Sequence, residues 1–247
     1  MEFALLGTLL VACEGQLMPI TSANQRIVLA ALLMQPNQLV TADDLIDAIW
    51  SGRQPRAARP TMQNYVKRLR FGLGTTGRMR LITLNGGYQF AAEEREIDVA
   101  RFRSLTKQEL ATAHRRAWEQ ASSVLGEALD VWRGPAFSDV PSELLARRYG
   151  PGLDELRRQA VEGKISAELH QGHHDMAIAE LLPLVDADPL CERLRQLLML
   201  ALYRNGRRAA ALAAYQDART ALRTDLGLAP GPALRDLHQK ILRGERA

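Results

Sequence analysis

Asn64 and Arg68 stand four residues apart, about one helical turn, in a stretch that contains no carboxylate. A side-chain amide places a donor beside an acceptor, the pairing shown by the major-groove edge of adenine. A guanidinium offers a fork of donors that fits O6 and N7 of guanine. The carboxylate-free stretch runs from Ala48 to Ala92 and carries Arg53, Arg56, Arg59, Lys67, Arg68, Arg70, Arg78 and Arg80. The whole chain of 247 residues has a net charge of only +4, so this positive charge is a local concentration. Phosphates attract such a surface, and one helix carrying it fits the major groove of duplex DNA. A face that only kept the chain soluble would mix glutamate with lysine.

Other chemistry finds less support. The sequence has no Gly-x-Ser-x-Gly, no His-Glu-x-x-His and no Gly-x-x-x-x-Gly-Lys-Ser/Thr, so no catalytic constellation or P-loop is visible and no enzyme is expected. His170, His173, His174 and Asp175 cluster, but they fall on a turn between helices, and a metal site needs ligands held by further partners. No metal and no cofactor is expected. Trp118 and Trp132 read as core side chains. Cys13 and Cys191 form no CxxC and read as two buried thiols in a reducing compartment. No apolar run reaches the ~18 residues of a membrane span, and Met1–Leu10 lacks the features of a secretion signal. A cytoplasmic, nucleoid-associated protein with no membrane partner is the expectation.

The candidate residues need elements to hold them. Phe3–Val11 and Gln16–Ile20 read as short strands around a Glu14-Gly15 turn. Thr21 or Ser22 can cap a helix reaching about Gln35, which Pro36-Asn37 stops. Thr41 caps a second helix, Ala42–Trp50, and Thr41-x-x-Asp44 approximates a capping box, with Asp43 beside Asp44 in the first turn. After a polar loop, Pro60 suits the first turn of a third helix from Thr61 to about Leu73. Its apolar face is Met62, Val66, Leu69 and Leu73. The opposite face holds Asn64, Lys67, Arg68 and Phe71, with Thr61 and Gln63 at its margins. Gly72, Gly74 and Gly77 end it. Arg80–Leu84 and Tyr88–Ala92 then form a hairpin about Asn85-Gly86-Gly87.

This is the order of a winged helix-turn-helix, and it sorts the candidates. Asn64 and Arg68 face bases. Arg59, Thr61, Gln63, Tyr65, Lys67 and Arg70 face the DNA backbone, where contacts position without reading sequence. Arg78, Arg80 and Asn85 belong to the wing.

Past Glu96 the chain reads as helical to its end, dividing it into domains 1–96 and 97–247. Asp98–Leu105 is a short helix; Gln108–Val131 and Ser142–Gly163 are longer ones, split by Arg133-Gly134-Pro135. An internal repeat follows at an offset of 34: Leu169 matches Tyr203, Gly172 matches Gly206, Ala177 matches Ala211, and Leu181 matches Tyr215. Thirty-four is the tetratricopeptide period. Two copies alone would be unstable, so the helices of 108–163 are expected to add a degenerate unit and Pro232–Leu242 to cap the stack. The fold class is therefore mainly α, with small antiparallel sheets at the N-terminus. The repeats read equally as a scaffold, a dimer interface or a groove for a peptide, small molecule or protein.

Several segments carry a family likeness. Thr41-Ala42-Asp43-Asp44-Leu45-Ile46, Thr61–Arg70 and Gly87-Tyr88-Gln89-Phe90 resemble the winged helix of response-regulator type. Ala201–Arg208, Ala211–Tyr215 and Leu226-Gly227-Leu228-Ala229-Pro230-Gly231 resemble the bacterial transcriptional activator domain. The combination is similar to the Streptomyces antibiotic regulatory proteins. That resemblance implies an activator of secondary-metabolite genes that binds direct repeats near the −35 element as side-by-side protomers, a homodimer on DNA. It also implies recruitment of RNA polymerase holoenzyme through its sigma factor or its alpha or beta subunits. By position it places Arg68 and Asn64 at bases, and Thr61, Tyr65, Lys67 and Arg70 at backbone. The wing position often held by arginine in such domains is Leu84 here. The rival reading is a protein-interaction module that uses the repeats, with weak non-specific DNA binding.

Overall fold

The computed structural model describes residues 1–112 and 117–245. Its N-terminal part opens with β1 (Glu2–Ala4), β2 (Leu10–Cys13) and β3 (Gln16–Leu17), an antiparallel sheet in that order. The single strand expected over Phe3–Val11 is thus two strands, paired through Phe3 and Val11. Between them Gly7, at φ +136°, turns the chain, and Leu5 and Leu6 are buried. The expected turn at Glu14-Gly15 forms, with both residues in the left-handed region.

Helix α1 (Ala23–Leu33) is buried at every position from Ile27 to Leu33, and α2 (Ala42–Trp50) and α3 (Ala58–Gly72) pack against it. The capping box of Thr41 and Asp44 is complete: the Asp44 N–H donates to the Thr41 hydroxyl, and the Thr41 N–H to the Asp44 carboxylate. Met62, Val66 and Leu69 of α3, and Leu73 just past it, are buried on the expected face. A further helix, α4 (Gly74–Arg80), follows where only a glycine-rich ending was expected. Gly74 adopts φ +65° and lets the chain turn sharply from one helix into the next.

The hairpin β5 (Leu81–Leu84) and β6 (Gly87–Phe90) gains a third strand, β4 (Val40–Thr41), on the open edge of β6. That approach is why position 87 is glycine: a Cβ there would lie 2.1 Å from the Val40 carbonyl oxygen. Phe90 meets Phe3 edge-to-face at 5.2 Å, joining the two sheets through the core.

Two arginines hold the hairpin in place. Arg70 donates from Nε and Nη2 to the Leu81 carbonyl at 3.0 and 2.7 Å, and from Nη2 to the Thr83 hydroxyl at 2.7 Å. Arg80 forms a two-bond pair with the Glu96 carboxylate at 2.8 and 2.6 Å. Burial works against the Glu96 charge. The bonds from Arg80, the Glu93 N–H and the Met1 amino group outweigh it and hold the carboxyl at about 2.

Helix α5 begins at Asp98 (Asp98–Thr112). The Asp98 carboxylate accepts the N–H groups of Leu5, Leu6 and Val99, each at 2.8 Å. Burial nevertheless pushes its pKa up. The segment after α6 (Trp118–Asp130) packs on the same turn: the N–H groups of Arg133, Phe137 and Ser138 donate to the carbonyls of Leu6, Leu5 and Gly7. Asp139 accepts from the Leu9 N–H at 2.7 Å, and the Ser142 hydroxyl donates to the Ala48 carbonyl at 2.6 Å. Trp132 meets Phe102 edge-to-face in the core.

These ties explain how the chain partitions. One compact unit comprises Met1–Gln108 with Glu127–Arg158; the other is formed by the described residues of Glu109–Gly126 and Gln159–Ala247. The sequence reading drew one line at 96/97, whereas packing returns the later segment to the N-terminal unit through the bonds to Leu5, Leu6 and Gly7.

Part of the expected helix Gln108–Val131, residues 113–116, lies outside the described residues. The helix expected to stop at Gly163 is α7 (Glu143–Gln171), which runs eight residues further. Gly163 is a packing site: a Cβ there would lie 2.9 Å from Leu125 Cδ1.

The second unit is helical. The 34-residue repeat is visible bond for bond. Gly172 and Gly206 both take positive φ, at +86° and +77°. The His173 N–H donates to the Glu168 carbonyl at 3.0 Å, and the Arg207 N–H to the Leu202 carbonyl at 2.9 Å. Helices α8 (His174–Ala187) and α10 (Arg208–Leu226) follow these turns, with Ala177 and Ala211 fully buried at the close contacts. Helix α9 (Glu192–Arg204) lies between them, and α11 (Pro232–Arg243) closes the stack with Leu234, Leu237 and Ile241. The expected core residue Trp118 instead stacks on the exposed His170 at 4.0 Å. Cys13 and Cys191 are free and half-buried, not fully buried.

The Glu96 pair gives the N-terminal unit a pH-dependent share of stability. A carboxyl held at about 2 against a usual 4.5 contributes fully above pH ~4.5 and loses that contribution as pH falls toward 2. Glu96→Gln is expected to lower the unfolding free energy by up to about 3 kcal/mol at neutral pH, with the gap closing on acidification. Urea denaturation across the pH range checks this; a gap of constant size would exclude ionisation as its source.

Candidate nucleic-acid interface

The N-terminus of α3 follows an exposed loop, and its apolar stripe seats it on α1 and α2. Burying Met62, Val66 and Leu69 fixes the rotation of the helix about its own axis. At about 100° per residue, Asn64, Lys67, Arg68 and Phe71 then share an outward arc of roughly 100°. All four are exposed, as is Gln63; Thr61 is half-buried at the margin. The helix-face reading of these residues is the arrangement found.

The basic residues divide into two groups. Arg53, Arg56, Lys67 and Arg68 are exposed and make no side-chain hydrogen bond or ion pair with any described residue. With no carboxylate between Ala48 and Ala92, the stretch itself offers them no acidic partner. Such surface cations can meet phosphate, releasing its condensed counterions, without first breaking an internal bond. Arg59 pairs with Asp43 at 2.8 Å, but both are well exposed, so the pair is weak and exchangeable.

The second group is engaged within the fold. Arg70 was expected at the DNA backbone, yet its guanidinium is bound to Leu81 and Thr83 and lies 5.9 Å from the Tyr88 ring centroid. The physical reason is reach: the long side chain folds back across the hairpin, whose free carbonyl it satisfies. Arg80 was expected on the wing, but it ends α4 and pairs with Glu96. Arg78 was also assigned to the wing. It lies on α4, with its guanidinium 5.7 Å from the Phe71 ring centroid. Of the expected wing residues, Asn85 alone sits on the hairpin, exposed at its tip beside Gly86 at φ +87°. Ile82 and Leu84 also project from this hairpin, each a little over a third exposed.

Tyr65 is half-buried and packs on Trp50 with ring centroids 6.4 Å apart. The contact steadies the junction of α2 with α3. The sequence reading left Arg53, Arg56 and Phe71 out of the site. Arg53 and Arg56 were signalled by the missing carboxylates, and Phe71 by its place between two polar residues of the outward arc.

The His170–Asp175 cluster lies at the turn into α8. His170 and His173 are exposed; Asp175 accepts from Asn205 at 2.7 Å and lies 3.7 Å from Arg207. Its carboxylate therefore ties one repeat turn to the next. No helix among the described residues is long and apolar enough to cross a membrane.

Comparison with known proteins gives these two regions a common setting. Residues 17–90 match the family described as transcriptional regulatory protein, C terminal, and residues 97–242 match the bacterial transcriptional activator domain. The chain is 38% identical to the regulatory protein AfsR of Streptomyces coelicolor, an alignment covering 100% of this chain and 25% of AfsR. It is 35% identical to the transcriptional regulatory protein EmbR of Mycobacterium tuberculosis, over 98% of this chain and 63% of EmbR. It is 30% identical to the regulatory protein DnrI of Streptomyces peucetius, over 99% of this chain and 93% of DnrI. The chain thus spans about a quarter of AfsR and under two thirds of EmbR, but most of DnrI. The solved structure of Mycobacterium tuberculosis EmbR in complex with a low-affinity phosphopeptide superimposes with a TM-score of 0.93 at 35% identity, covering 99% of this chain and 65% of that one. With its winged helix and its activator domain both matched, and DnrI aligned almost end to end, the chain belongs to the Streptomyces antibiotic regulatory protein family of transcriptional regulators.

Proposed function

We propose that this chain is a sequence-specific DNA-binding activator of transcription that acts on secondary-metabolite gene clusters. One observation carries the reading: α3 presents Asn64, Lys67 and Arg68 outward, exposed and unpaired, from a helix whose opposite face is locked into the core. Residues 1–96 supply DNA binding, and residues 97–247 supply the activator domain.

Asn64 and Arg68 read base edges. Lys67 meets phosphate, as do Thr61 and Gln63 at the margin of the helix and Arg59 once it exchanges Asp43 for a phosphate oxygen. The Tyr65 hydroxyl reaches the same strand. Asn85 brings the hairpin tip to the backbone. Leu84 replaces a groove-inserting arginine, so the wing adds position and not sequence. Two protomers lie side by side on direct repeats near the −35 element, and the second binding event gains from effective concentration. RNA polymerase holoenzyme is recruited from that platform. Membership of the family, and relatives from Streptomyces named as regulatory proteins, support this assignment.

The roles of Arg68 and Lys67 separate by experiment. Arg68→Ala is expected to cost ~1–3 kcal/mol of specific binding and to relax base preference at one position. Lys67→Ala is expected to weaken all sequences alike and to lower the slope of log affinity against log salt by about one. Binding isotherms over a salt series read both. An unchanged base preference in Arg68→Ala would mean that α3 sits in another register.

Selection of bound duplexes from a random pool at physiological salt tests the whole reading. The expected product is a short element in tandem copies spaced about one helical turn apart. A pool without a motif, bound only at low salt, would remove sequence-specific activation and leave the repeats as the functional part.

A further inference from the structure

Phe71 is the anomaly of the outward arc. It is 69% exposed, although the neighbouring Leu69 and Leu73 are buried on the other side of the chain. By helical geometry it lies near the middle of the arc that contains Asn64, Lys67 and Arg68, about 10 Å along the helix from Asn64. This large apolar ring lies amid polar side chains, and among the described residues its one ring or cation contact is with the Arg78 guanidinium at 5.7 Å. The major groove displays one apolar group, the 5-methyl of thymine, and an aromatic side chain is one of its recognised partners.

The geometry points to a composite reader at the C-terminal end of α3, in which the Phe71 ring packs on a thymine methyl and Arg78, held beside that ring, meets a nearby phosphate. The thymine lies within about three base pairs of the pair read by Asn64, given the ~10 Å between the two side chains and 3.4 Å per pair. Arg78 suits the phosphate role because it is exposed and α4 carries no carboxylate to claim it. Its contact with the ring also gives Phe71 a preferred orientation before DNA arrives, which lowers the ordering cost of binding. Unlike Arg70 and Arg80, which bind inside the fold, Arg78 keeps its charge available at the surface.

This assignment rests on α3 being the base-reading helix, and its test is chosen to fail separately. The probe is the duplex recovered by selection, with each thymine replaced in turn by deoxyuridine. That change removes one methyl from the major groove and leaves every hydrogen-bonding group in place. One thymine is expected at which the replacement weakens binding of the full chain about fourfold, the scale of one buried methyl group. Phe71→Ala should bind the thymine and deoxyuridine duplexes equally, while keeping the base preferences assigned to Asn64 and Arg68. Arg78→Ala should keep the deoxyuridine effect and lower the salt slope by about one.

A selected duplex that is indifferent to every deoxyuridine, or whose sensitivity persists in Phe71→Ala, overturns the composite reader alone. Loss of tandem-site binding in Phe71→Ala, with single-site binding unchanged, assigns the ring to a contact between protomers and also overturns it. Recovery of no duplex at all overturns this inference together with the DNA-reading assignment.

Discussion

A single half-buried carboxylate, that of Asp98, organises the N-terminal unit. The turn between β1 and β2 leaves the N–H groups of Leu5 and Leu6 without strand partners, while their side chains fill the core. Buried amides left unpaired are costly. Asp98 accepts both, and the N–H of Val99 as well, so the same group closes the turn and starts α5. The carbonyls of Leu5, Leu6 and Gly7 then receive the N–H groups of Phe137, Arg133 and Ser138. The amide and carbonyl groups of Leu5 and Leu6 and the carbonyl of Gly7 are thereby paired with distant parts of the sequence. Phe3, adjacent to the turn, supports Phe90 of the hairpin, and the hairpin supports α3 through Arg70.

The electrostatics of the interface follow from where carboxylates are placed. Among the described residues, the acidic partners of the basic stretch are Glu96, which holds Arg80, and the exposed Asp43, whose pair with Arg59 is of low worth. Some arginines of the basic stretch are thus structural and others are open to solvent. The composition of the stretch is uniform; the division arises from three-dimensional reach.

Much of this arrangement was legible in the sequence where the signal is local. Thr41 and Asp44 specify a helix start within four residues, and the apolar spacing of Met62, Val66 and Leu69 fixes which side of α3 is outward. The 34-residue offset was legible because the turn glycines must take positive φ in each copy. The rest depended on contacts that no local pattern encodes. Gly163 reads as a helix stop, but it serves close packing against Leu125. Gly74, Thr75, Thr76 and Gly77 of α4 are poor helix formers, and their neighbours override that preference. Arg70 and Lys67 are both basic and lie about 60° apart on a helical projection. Only the hairpin's position separates a guanidinium that reaches a carbonyl from an ammonium that reaches water.

The return of residues 127–158 to the N-terminal unit has a meaning for inheritance. A recombination event at the boundary between the two matched family regions would separate Leu5 and Leu6 from the backbone groups that pair with them. Such a chimera would inherit α3 intact, yet seat residues 5–9 on the backbone of another chain. The two regions of this chain are thus not freely exchangeable cassettes. Residues 5–9 and 133–142, far apart in sequence, are two halves of one fit made within the N-terminal unit.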